Sequence, residues 1–515
     1  MAGNHLRVKE EGSSGWAAAY WLWLGLSLLA FLLGLAVRLY DLTDPPLDFH
    51  PTRQLHSALI ARGMYYQNLD DIPDWQRERA VDQWKAEGLI EPQIMERLTA
   101  FTYRIVGAPK LWVARLWAIF FWAVGGICLY FLARDLIGLQ GASVAVTFFM
   151  LWPYAAVASR SFQPESLSVA SFILALWLTN RWLHNPSILH AIAAGLICGI
   201  AIYIKVTIVF LLAPATAGLL LSAFSLKSAL KNNQIWLIAL LSIFPYAIYH
   251  LYGVYALNLL GEQYSLRFFP NLWLDPAFYL RWIGEMNHVI GLELFLLAFG
   301  AGLLLTRKQT FGMFVGFFVG YILYGFVFSY HISTHDYYHL PLMVPISLGL
   351  GIVFQTLFDA AFRRKRNIFH CVVIVSFLIT FMILKAWDVR VTLKRNDYRA
   401  EPAFWESLGE SLGHNAHVTG LLADYGYRLA YWGWITPSPW PSLQDIGLRK
   451  LAGEEFVFKE VVSSALQNQD FFVVTEMQEF EAQPELAQYL NDHYVKITES
   501  PSLIIFDLNQ IKEGW

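Results

Sequence analysis

Three carboxylates stand in polar segments beside long apolar runs, and their positions suggest acid–base chemistry. Asp48 lies in the segment 38–54, Glu91 directly precedes a proline, and Glu165 directly follows one. A carboxylate within hydrogen-bond reach of a substrate hydroxyl can accept its proton as the oxygen attacks. Simpler explanations stand beside this one, because Asp48 could serve loop solvation, Glu91 could favour a helix N-terminus, and Glu165 could form an interfacial pair with Arg160.

Cationic and aromatic side chains in the same segments are suited to bind an anion. Charge-assisted hydrogen bonds from Arg or Lys stabilise a phosphate without a metal, and ionisable groups near apolar spans are costly enough to be functional candidates. For the aromatic and imidazole groups, anchoring at the membrane interface is the alternative. The candidate substrate-binding residues are His50, Arg53, Arg62, Arg160, Lys205, His335, Tyr337 and Tyr338.

A histidine series offers a candidate for metal binding. His331, His335 and His339 recur every four residues and would share one face of a helix, as zinc ligands can. No HExxH glutamate accompanies them, and the cysteines lie in apolar runs rather than at zinc-binding spacings. We therefore expect no required metal or other cofactor, with a divalent metal as an unsupported alternative.

The elements that position these residues are apolar runs of membrane-spanning length. Of 515 residues, 56% are hydrophobic and 15% charged, which is unlike a soluble globular chain. The net charge of −3 gives no indication of nucleic-acid binding. The apolar composition instead predicts that membrane lipid surrounds the chain. Runs of roughly 20 apolar residues predict about eleven spanning helices. They lie near 16–37, 111–133, 141–158, 165–183, 188–204, 206–225, 234–257, 288–305, 310–330, 337–359 and 367–388.

Loop charges predict the orientation of these spans. With a cytoplasmic N-terminus, the short inner loops hold most of the Lys and Arg residues, including Arg134 and the run 363–366. This positive-inside bias places the long polar segments 38–110 and 258–287 outside, together with the C-terminal tail. Within the first segment, 55–66 is predicted to be an interfacial helix with one apolar face on the membrane.

The tail, residues 390–515, is predicted to form a small α/β domain. A helix is expected at 484–494, and the segment has no phosphate loop, nucleophile elbow or zinc spacing. β-branched and aromatic residues predict strands at 417–424, 470–475 and 503–508. The expected fold class is an α-helical polytopic membrane protein, with a transmembrane domain at 1–389 and a C-terminal extracytoplasmic α/β domain.

Several short motifs follow one another in a defined order along the first three quarters of the chain. They are Arg38-Leu39, Ala61-Arg62, Glu91-Pro92, Ala114-Arg115-Leu116, the stretch 132–138, Ser159-Arg160, Pro164-Glu165, Lys205 and the stretch 335–341. Their order and spacing resemble the GT-C superfamily of polyprenyl-phosphate-dependent glycosyltransferases, in the branch of protein O-mannosyltransferases and lipid A aminoarabinose transferases. The resemblance covers about residues 16–390.

The resemblance implies a GT-C-like fold and a defined reaction. A sugar would pass from a polyprenyl-phosphate donor to a glycan, lipid or protein acceptor on the extracytoplasmic face of the cell membrane. A loop carboxylate would accept the acceptor's proton, cationic groups would stabilise the leaving phosphate, and a single displacement would invert the anomeric centre.

One departure from the family concerns the catalytic base. The family usually carries an acidic pair shortly before the Ala-Arg of the interfacial helix, where this chain has Arg53-Gln54. Three interpretations follow: Asp48 is the shifted base, Glu91 or Glu165 has taken its place, or this branch no longer transfers sugar.

Two functions from other classes stay open on the sequence alone. Basic outer loops would suit a transporter or flippase of a lipid-linked anion, although the internal repeat of many transporters is not evident. The missing acidic pair would suit a non-catalytic scaffold with a GT-C-like fold.

If Asp48 is the base, Asp48→Asn should lower turnover by about 10²–10⁴-fold while donor binding is retained, because the amide cannot accept a proton. Both quantities can be measured in proteoliposomes with a labelled polyprenyl-phosphate sugar. A variant that keeps more than about a tenth of the wild-type rate would place the base elsewhere.

Overall fold

The computed structural model describes residues 4–258, 260, 267–306, 308–362 and 368–512, most of which are α-helical. The first helices are α1 (Asn4–Leu39), α2 (Pro51–Tyr66), α3 (Asp74–Ala86) and α4 (Ile94–Val106). They are followed by α5 (Trp112–Leu136), α6 (Leu139–Leu151), α7 (Pro153–Ala158), α8 (Glu165–His184), α9 (Ile188–Ile204), α10 (Val209–Ala223), α11 (Leu226–Leu230), α12 (Asn233–Tyr255), α13 (Pro276–Val289), α14 (Leu292–Leu304), α15 (Lys308–Val327), α16 (Ser329–Ile332), α17 (Met343–Phe362) and α18 (Ile368–Leu393). Short 3₁₀ helices at Val206–Ile208, Pro270–Leu274 and Asp336–Leu342 precede α10, α13 and α17.

The C-terminal segment alternates helices and strands. Its elements are α19 (Glu401–Leu412), β1 (Val418–Leu421), a turn at Ala423–Gly426, α20 (Tyr427–Trp432), β2 (Ser438–Pro439), α21 (Leu443–Leu451), α22 (Phe458–Leu466), β3 (Phe471–Val474), α23 (Met477–Glu481), α24 (Pro484–His493), β4 (Tyr494–Ser500) and β5 (Leu503–Ile511). The three predicted strands and the predicted helix are therefore present. The short β2 and the strand β4, which follows α24 without a loop, were not predicted.

Seven helices in the described part of the chain are long and apolar enough to cross a membrane, so the protein is membrane-embedded. They are Tyr20–Leu39, Trp112–Leu136, Val206–Ala223, Asn233–Tyr255, Lys308–Val327, Asp336–Phe362 and Phe369–Leu393. The pair α13 and α14, bent by 87°, is an eighth candidate, and α6 and α9 are shorter apolar helices. Every predicted run coincides with helix, but the count of about eleven crossings stays a prediction.

The chain forms two compact units. The membrane unit comprises Met1–Leu42, Leu89–Ile94 and Arg115–Arg395, and the polar unit comprises Thr43–Gly88, Met95–Ala114 and Asn396–Trp515. The polar unit thus contains most of the first polar segment together with the C-terminal sheet, although the hydropathy pattern predicts that this segment belongs to the transmembrane domain.

In the membrane unit, α10 and α15 meet at glycines. Gly312, Gly316 and Gly320 recur at every fourth residue of α15 and therefore lie on one face. A Cβ atom at Gly316 would lie 2.1 Å from the carbonyl oxygen of Pro214, and one at Gly312 would lie 2.3 Å from that of Gly218. Small residues allow this close approach of backbones, which is how many helices associate in membranes.

Arg38 links α1 to two later parts of the membrane unit. It is fully buried, and its Nη1 donates to the carbonyl oxygens of Gly34 at 2.8 Å and Met150 at 2.6 Å. Its Nε donates to Ser159 Oγ at 2.7 Å, while its guanidinium lies 5.6 Å from the ring centre of Trp122. The Arg38-Leu motif therefore has a structural explanation.

In the polar unit, α2 is buried on every side rather than on one apolar face. Leu55 and Leu59 are at most 1% exposed, and the polar Gln54 and Arg62 are at most 3% exposed. The helix packs against α3 and α20, and a Cβ at Gly63 would lie 2.3 Å from that of Trp84. The expected one-faced interfacial helix was wrong in this respect, because protein covers the face that lipid or water was expected to cover.

The sheet has the strand order β2-β1-β3-β5-β4. β1 pairs in parallel with β2 and β3, whereas β5 pairs antiparallel with β3 and β4. Its core is built from apolar residues of strands and helices, including Phe472, Phe506, Trp440, Leu486 and Leu490. These residues form one apolar core between the small mixed sheet and its helices.

The glycine contact between α10 and α15 is testable with one methyl group. Gly316→Ala should lower the melting temperature in lipid nanodiscs, because the new Cβ meets the Pro214 backbone and overpacking costs about 1–3 kcal/mol. Gly300→Ala in α14 is the matched control, since no heavy atom lies within 4 Å of its Cβ position. Equal melting temperatures for the two variants would contradict the packing described.

Candidate functional site

A narrow pocket in the membrane unit brings one candidate carboxylate and one candidate cation together. Glu91 reaches it from the segment before α4, and Lys205 reaches it from the break between α9 and the following 3₁₀ helix. Lys205 has an extended backbone there, so the helical run is interrupted where the charge stands. The charged and phenolic residues that line the pocket are Glu91, Lys205, Arg267, Tyr203, Tyr246, Tyr249 and Tyr338.

Lys205 is held by Glu165 and by two aromatic rings. The Glu165 carboxylate accepts a hydrogen bond from Lys205 Nζ, and the two side chains are only 4% and 10% exposed, respectively. Lys205 Nζ lies 5.1 Å from the ring centre of Tyr337 and 5.5 Å from that of Tyr338. Glu165 Oε2 is buried and accepts no hydrogen bond from the residues that the structure describes. This ion pair therefore retains acceptor capacity beside the pocket.

Glu165 is also favoured by its position in the chain. It is the first residue of α8, directly after Pro164. The N-terminus of a helix carries partial positive charge and stabilises a carboxylate. Chain position and Lys205 together explain why this carboxylate can be buried.

The histidine series does not converge on one point. The rings of His331 and His335 are stacked 5.1 Å apart, whereas His339 contacts Tyr321 through Nδ1 and the Ile332 carbonyl through Nε2, each at 2.9 Å. His339 thus has both ring nitrogens engaged within the protein. No group of three or more His, Cys, Asp or Glu in the described ranges is placed to hold a metal ion.

Positive charge surrounds His331. Burial, then His335, Arg267 and Lys205, lower the pKa of His331 to about 3, so this imidazole is neutral at pH 7. Its ring centre lies 5.3 Å from that of Tyr338, which lines the pocket. The same cations that disfavour an imidazolium favour an anion.

Asp48, His50 and Arg53 belong to the polar unit. His50 precedes α2 with φ 43°, and its ring contacts that of Phe49 edge to face at 4.6 Å. Gln54, at the position of the missing acidic pair, is buried and donates through Nε2 to the carbonyl oxygens of Pro46 at 3.1 Å and Phe49 at 2.6 Å. An amide can donate these bonds and a carboxylate cannot, so Gln54 holds the loop that carries Asp48.

Arg62 is surrounded by protein partners. Its guanidinium donates to Gln83 Oε1 at 2.6 Å and to the carbonyl oxygens of Ala430 and Tyr431, and it lies 3.9 Å from the ring centre of Trp434. Burial lowers its pKa to about 10, which leaves it charged at neutral pH. These contacts give Arg62 a structural role, and phosphate binding by Arg62 stays a prediction.

Arg160 has a similar structural role in the membrane unit. It is buried and donates to the carbonyl oxygens of Tyr40 at 2.6 Å and Asp41 at 2.8 Å. These contacts hold the turn that follows α1. Arg160 is not among the residues that line the Glu91–Lys205 pocket.

Two residues that are not candidates on the sequence alone are placed as functional residues often are, one in a pocket and one with a shifted pKa. Arg267 lines the pocket, although a basic residue in a polar segment carries no signal by itself. Glu87 in the polar unit lies 3.3 Å from His56 Nε2 and accepts a hydrogen bond from Tyr427 at 2.9 Å. Burial raises the pKa of Glu87 to about 7, although the bond from Tyr427 opposes the shift.

The structure therefore divides the candidates into two groups. Glu91, Lys205 and Tyr338 line one pocket, Glu165 and Tyr337 contact Lys205 beside it, and His335 stacks on His331. Asp48, His50, Arg53 and Arg62 form part of the other unit. A shared site for both groups stays a prediction.

Comparison with solved structures shows which known fold the chain shares. ArnT from Cupriavidus metallidurans in the apo state aligns with 12% identity and a TM-score of 0.55, covering 96% of this chain and 98% of that chain. ArnT bound to undecaprenyl phosphate aligns with 14% identity and a TM-score of 0.54 over the same shares. The archaeal oligosaccharyltransferase AglB from Archaeoglobus fulgidus, in complex with an inhibitory peptide and a dolichol-phosphate, aligns with 12% identity and a TM-score of 0.53, covering 95% and 74%.

The chain is therefore a membrane-embedded protein with an ArnT-like fold. The family model described as dolichyl-phosphate-mannose-protein mannosyltransferase matches residues 91–252, which include Glu91, Glu165 and Lys205. The family-model match and the ArnT-like fold both agree with the resemblance that the ordered motifs indicate. No curated protein sequence matches the chain.

The raised pKa of Glu87 predicts a pH dependence of stability. Because the folded-state pKa of about 7 exceeds the ordinary glutamate value of 4.5, the folded chain binds this proton more tightly, and stability should fall as pH rises between those values. Glu87→Gln removes this titrating group, so the melting temperature of the variant should decrease less than that of wild type as pH rises over this range. Glu78→Gln, at an exposed position of α3, is the control and should keep the wild-type profile. Parallel profiles for wild type and Glu87→Gln would contradict the assignment.

Proposed function

We propose that this protein is a membrane glycosyltransferase that moves a sugar from a polyprenyl-phosphate-linked donor to a glycan, lipid or protein acceptor. The observation that carries the proposal is a pocket with Glu91, Lys205 and Arg267 in a chain with an ArnT-like fold. One of the ArnT structures holds undecaprenyl phosphate, and the AglB structure holds a dolichol-phosphate. Both ligands are polyprenyl phosphates, which supports the donor class for this chain.

The pocket suits a phosphate that leaves during the reaction. Lys205 and Arg267 bring two positive charges to it, and the four tyrosines add hydroxyl donors. In a site shielded from water these groups stabilise negative charge that develops on the phosphate. Glu165 keeps Lys205 in place, and we assign it this positioning role ahead of proton transfer.

Asp48 and Glu91 are the two proposed bases. Glu91 is supported by its place in the pocket, and Asp48 is supported by its position in the chain near the missing acidic pair. Either carboxylate would take the proton of the acceptor hydroxyl as that oxygen attacks the anomeric carbon. A single displacement would invert that carbon, and the transferred group would be a hexose or a pentose.

The reaction is proposed to take place on the extracytoplasmic face, with the N-terminus in the cytoplasm and the C-terminal domain outside. The support is the excess of Lys and Arg in the short loops assigned to the inside. Some of these residues, Arg307 and the run 363–366, lie outside the described residues, as do the side chains of Arg7 and Lys9.

No metal or other cofactor is included in the proposal. Arg267, Lys205 and the tyrosine hydroxyls can hold a phosphate by direct hydrogen bonds. The stabilisation that a divalent cation supplies in other phosphate sites is therefore assigned to side chains of this chain.

Arg267 gives the sharpest test of the donor site. Arg267→Gln should raise the KM for a labelled polyprenyl-phosphate sugar by about tenfold or more, because a hydrogen bond to a charged group is lost. Transfer would be measured in proteoliposomes supplied with native membrane extract as the acceptor source. The matched control is Arg281→Gln, since Arg281 lies in the same polar segment but is exposed and pairs with Asp275 at 3.3 Å.

Three outcomes would contradict this account. Equal KM values for the two arginine variants would remove Arg267 from the donor site. Absence of sugar transfer to every glycan, lipid and protein acceptor would remove the glycosyltransferase assignment. Movement of the labelled lipid across the bilayer without sugar transfer would replace it with a flippase.

A further inference from the structure

A second, larger pocket lies in the C-terminal sheet of the polar unit. Its cavity measures about 240 Å³ and opens where the parallel strands β1, β2 and β3 end. Leu422 and Asp424 line it after β1, Trp440 and Ser442 after β2, and Glu476 after β3. This volume lies just below the roughly 300–1,000 Å³ of drug-sized ligand sites, so a small ligand is expected.

The strand order makes this edge a favourable place for a ligand. β1 lies between β2 and β3 in the sheet. The connection from β1 to β2 therefore leads to one side of β1, and the connection from β2 to β3 leads to its other side. Such a switch leaves a crevice beyond the carboxyl ends of the parallel strands, and ligands of open α/β sheets bind there. The topology of the sheet therefore favours a ligand site at this edge.

The backbone beside the pocket has a left-handed conformation at three consecutive residues. Asp424 and Tyr425 have φ values of 52° and 58°, and Gly426 follows with 83°. Side chains at such positions carry strain that the surrounding fold must offset. The path leaves the Tyr425 ring 41% exposed at the pocket, with its hydroxyl 3.3 Å from Asp445 Oδ1.

The charge of the pocket excludes an anionic ligand. Its ionisable lining groups are the carboxylates Asp424, Glu476 and Glu479. The nearby Arg428 is engaged by Asp424 and by Glu401, the latter at 2.9 Å. Partial burial and the neighbouring Asp424 raise the pKa of Glu476, which reflects this concentration of negative charge. A phosphate or a nucleotide would be repelled.

The carboxylates are also too dispersed to serve a single cation. In the described part of the chain no three acidic or imidazole groups meet at a distance that could hold a metal ion. Acceptors spaced around a cavity instead match a ligand with several separated hydrogen-bond donors. Hydroxyl groups of Ser442 and Tyr425 and the amide of Gln444 complete a polar lining around the exposed ring.

We propose that this pocket binds a neutral glycan, whose hydroxyl groups donate to Asp424, Glu476 and Glu479 and whose apolar face packs on Tyr425. A sugar combines an apolar ring face with a rim of hydroxyl donors, and the pocket offers a ring beside a rim of acceptors. The role of this pocket in holding a glycan acceptor rests on the proposed function. Glycan binding by the pocket does not depend on that function.

The test uses the full chain in lipid nanodiscs, applied to an array of defined neutral oligosaccharides in the presence of EDTA and without donor lipid. Wild type should be retained on a subset of the oligosaccharides. Glu476→Ala and Tyr425→Ala should each weaken binding to that subset by about tenfold or more. Glu455→Ala, at an exposed turn outside the pocket, should bind as wild type does. Unchanged melting temperatures would show that the variants are folded.

Retention of no oligosaccharide would overturn the proposal, and so would equal binding by wild type and the two pocket variants. Binding that requires a divalent cation would also overturn it, because the carboxylates would then serve a metal. Since no donor is present, these failures leave sugar transfer untouched. Conversely, glycan binding without any transfer activity would contradict the proposed function alone.

Discussion

A charge among membrane-spanning helices must be neutralised from within, and Lys205 and Glu165 do this for each other. Removing one partner of such a pair leaves a buried charge without compensation, which typically costs about 3–5 kcal/mol. The pair ties the start of α8 to the end of α9, and the rings of Tyr337 and Tyr338 bring the segment before α17 to the same point. The pocket with Glu91 and Arg267 lies beside this junction.

The same constraint explains where helices are interrupted. The backbone breaks at Trp152-Pro153 and at Lys205, and 3₁₀ geometry replaces α-helix at Asp336–Leu342. Irregular backbone at membrane depth survives only where it is covered by protein or lines a cavity. Close packing elsewhere, as between α10 and α15 at their glycines, provides the rigid frame around those breaks.

In the polar unit, the central group is Arg62. Its two Nη atoms donate to a side chain of α3 and to carbonyl oxygens of α20, and its guanidinium lies over the ring of Trp434. Such a planar, multiply bonded group positions several elements at once, which a lysine could not do. Gln54 acts similarly on the loop that precedes α2. Gln54, which stands where the resemblance implies an acidic pair, thus has a structural role.

The sequence alone determined the membrane class, the order of the GT-C motifs and most secondary structure, because hydropathy and chain order are local properties. It also selected Glu91, Glu165 and Lys205. It could not separate Arg62 and Arg160, whose donors are used by backbone carbonyls, from Lys205, which lies beside a pocket. It gave no reason to prefer Arg267 over Arg281, and it passed over Glu87. Only the tertiary structure decided these points, because burial and partners come from residues distant in the chain.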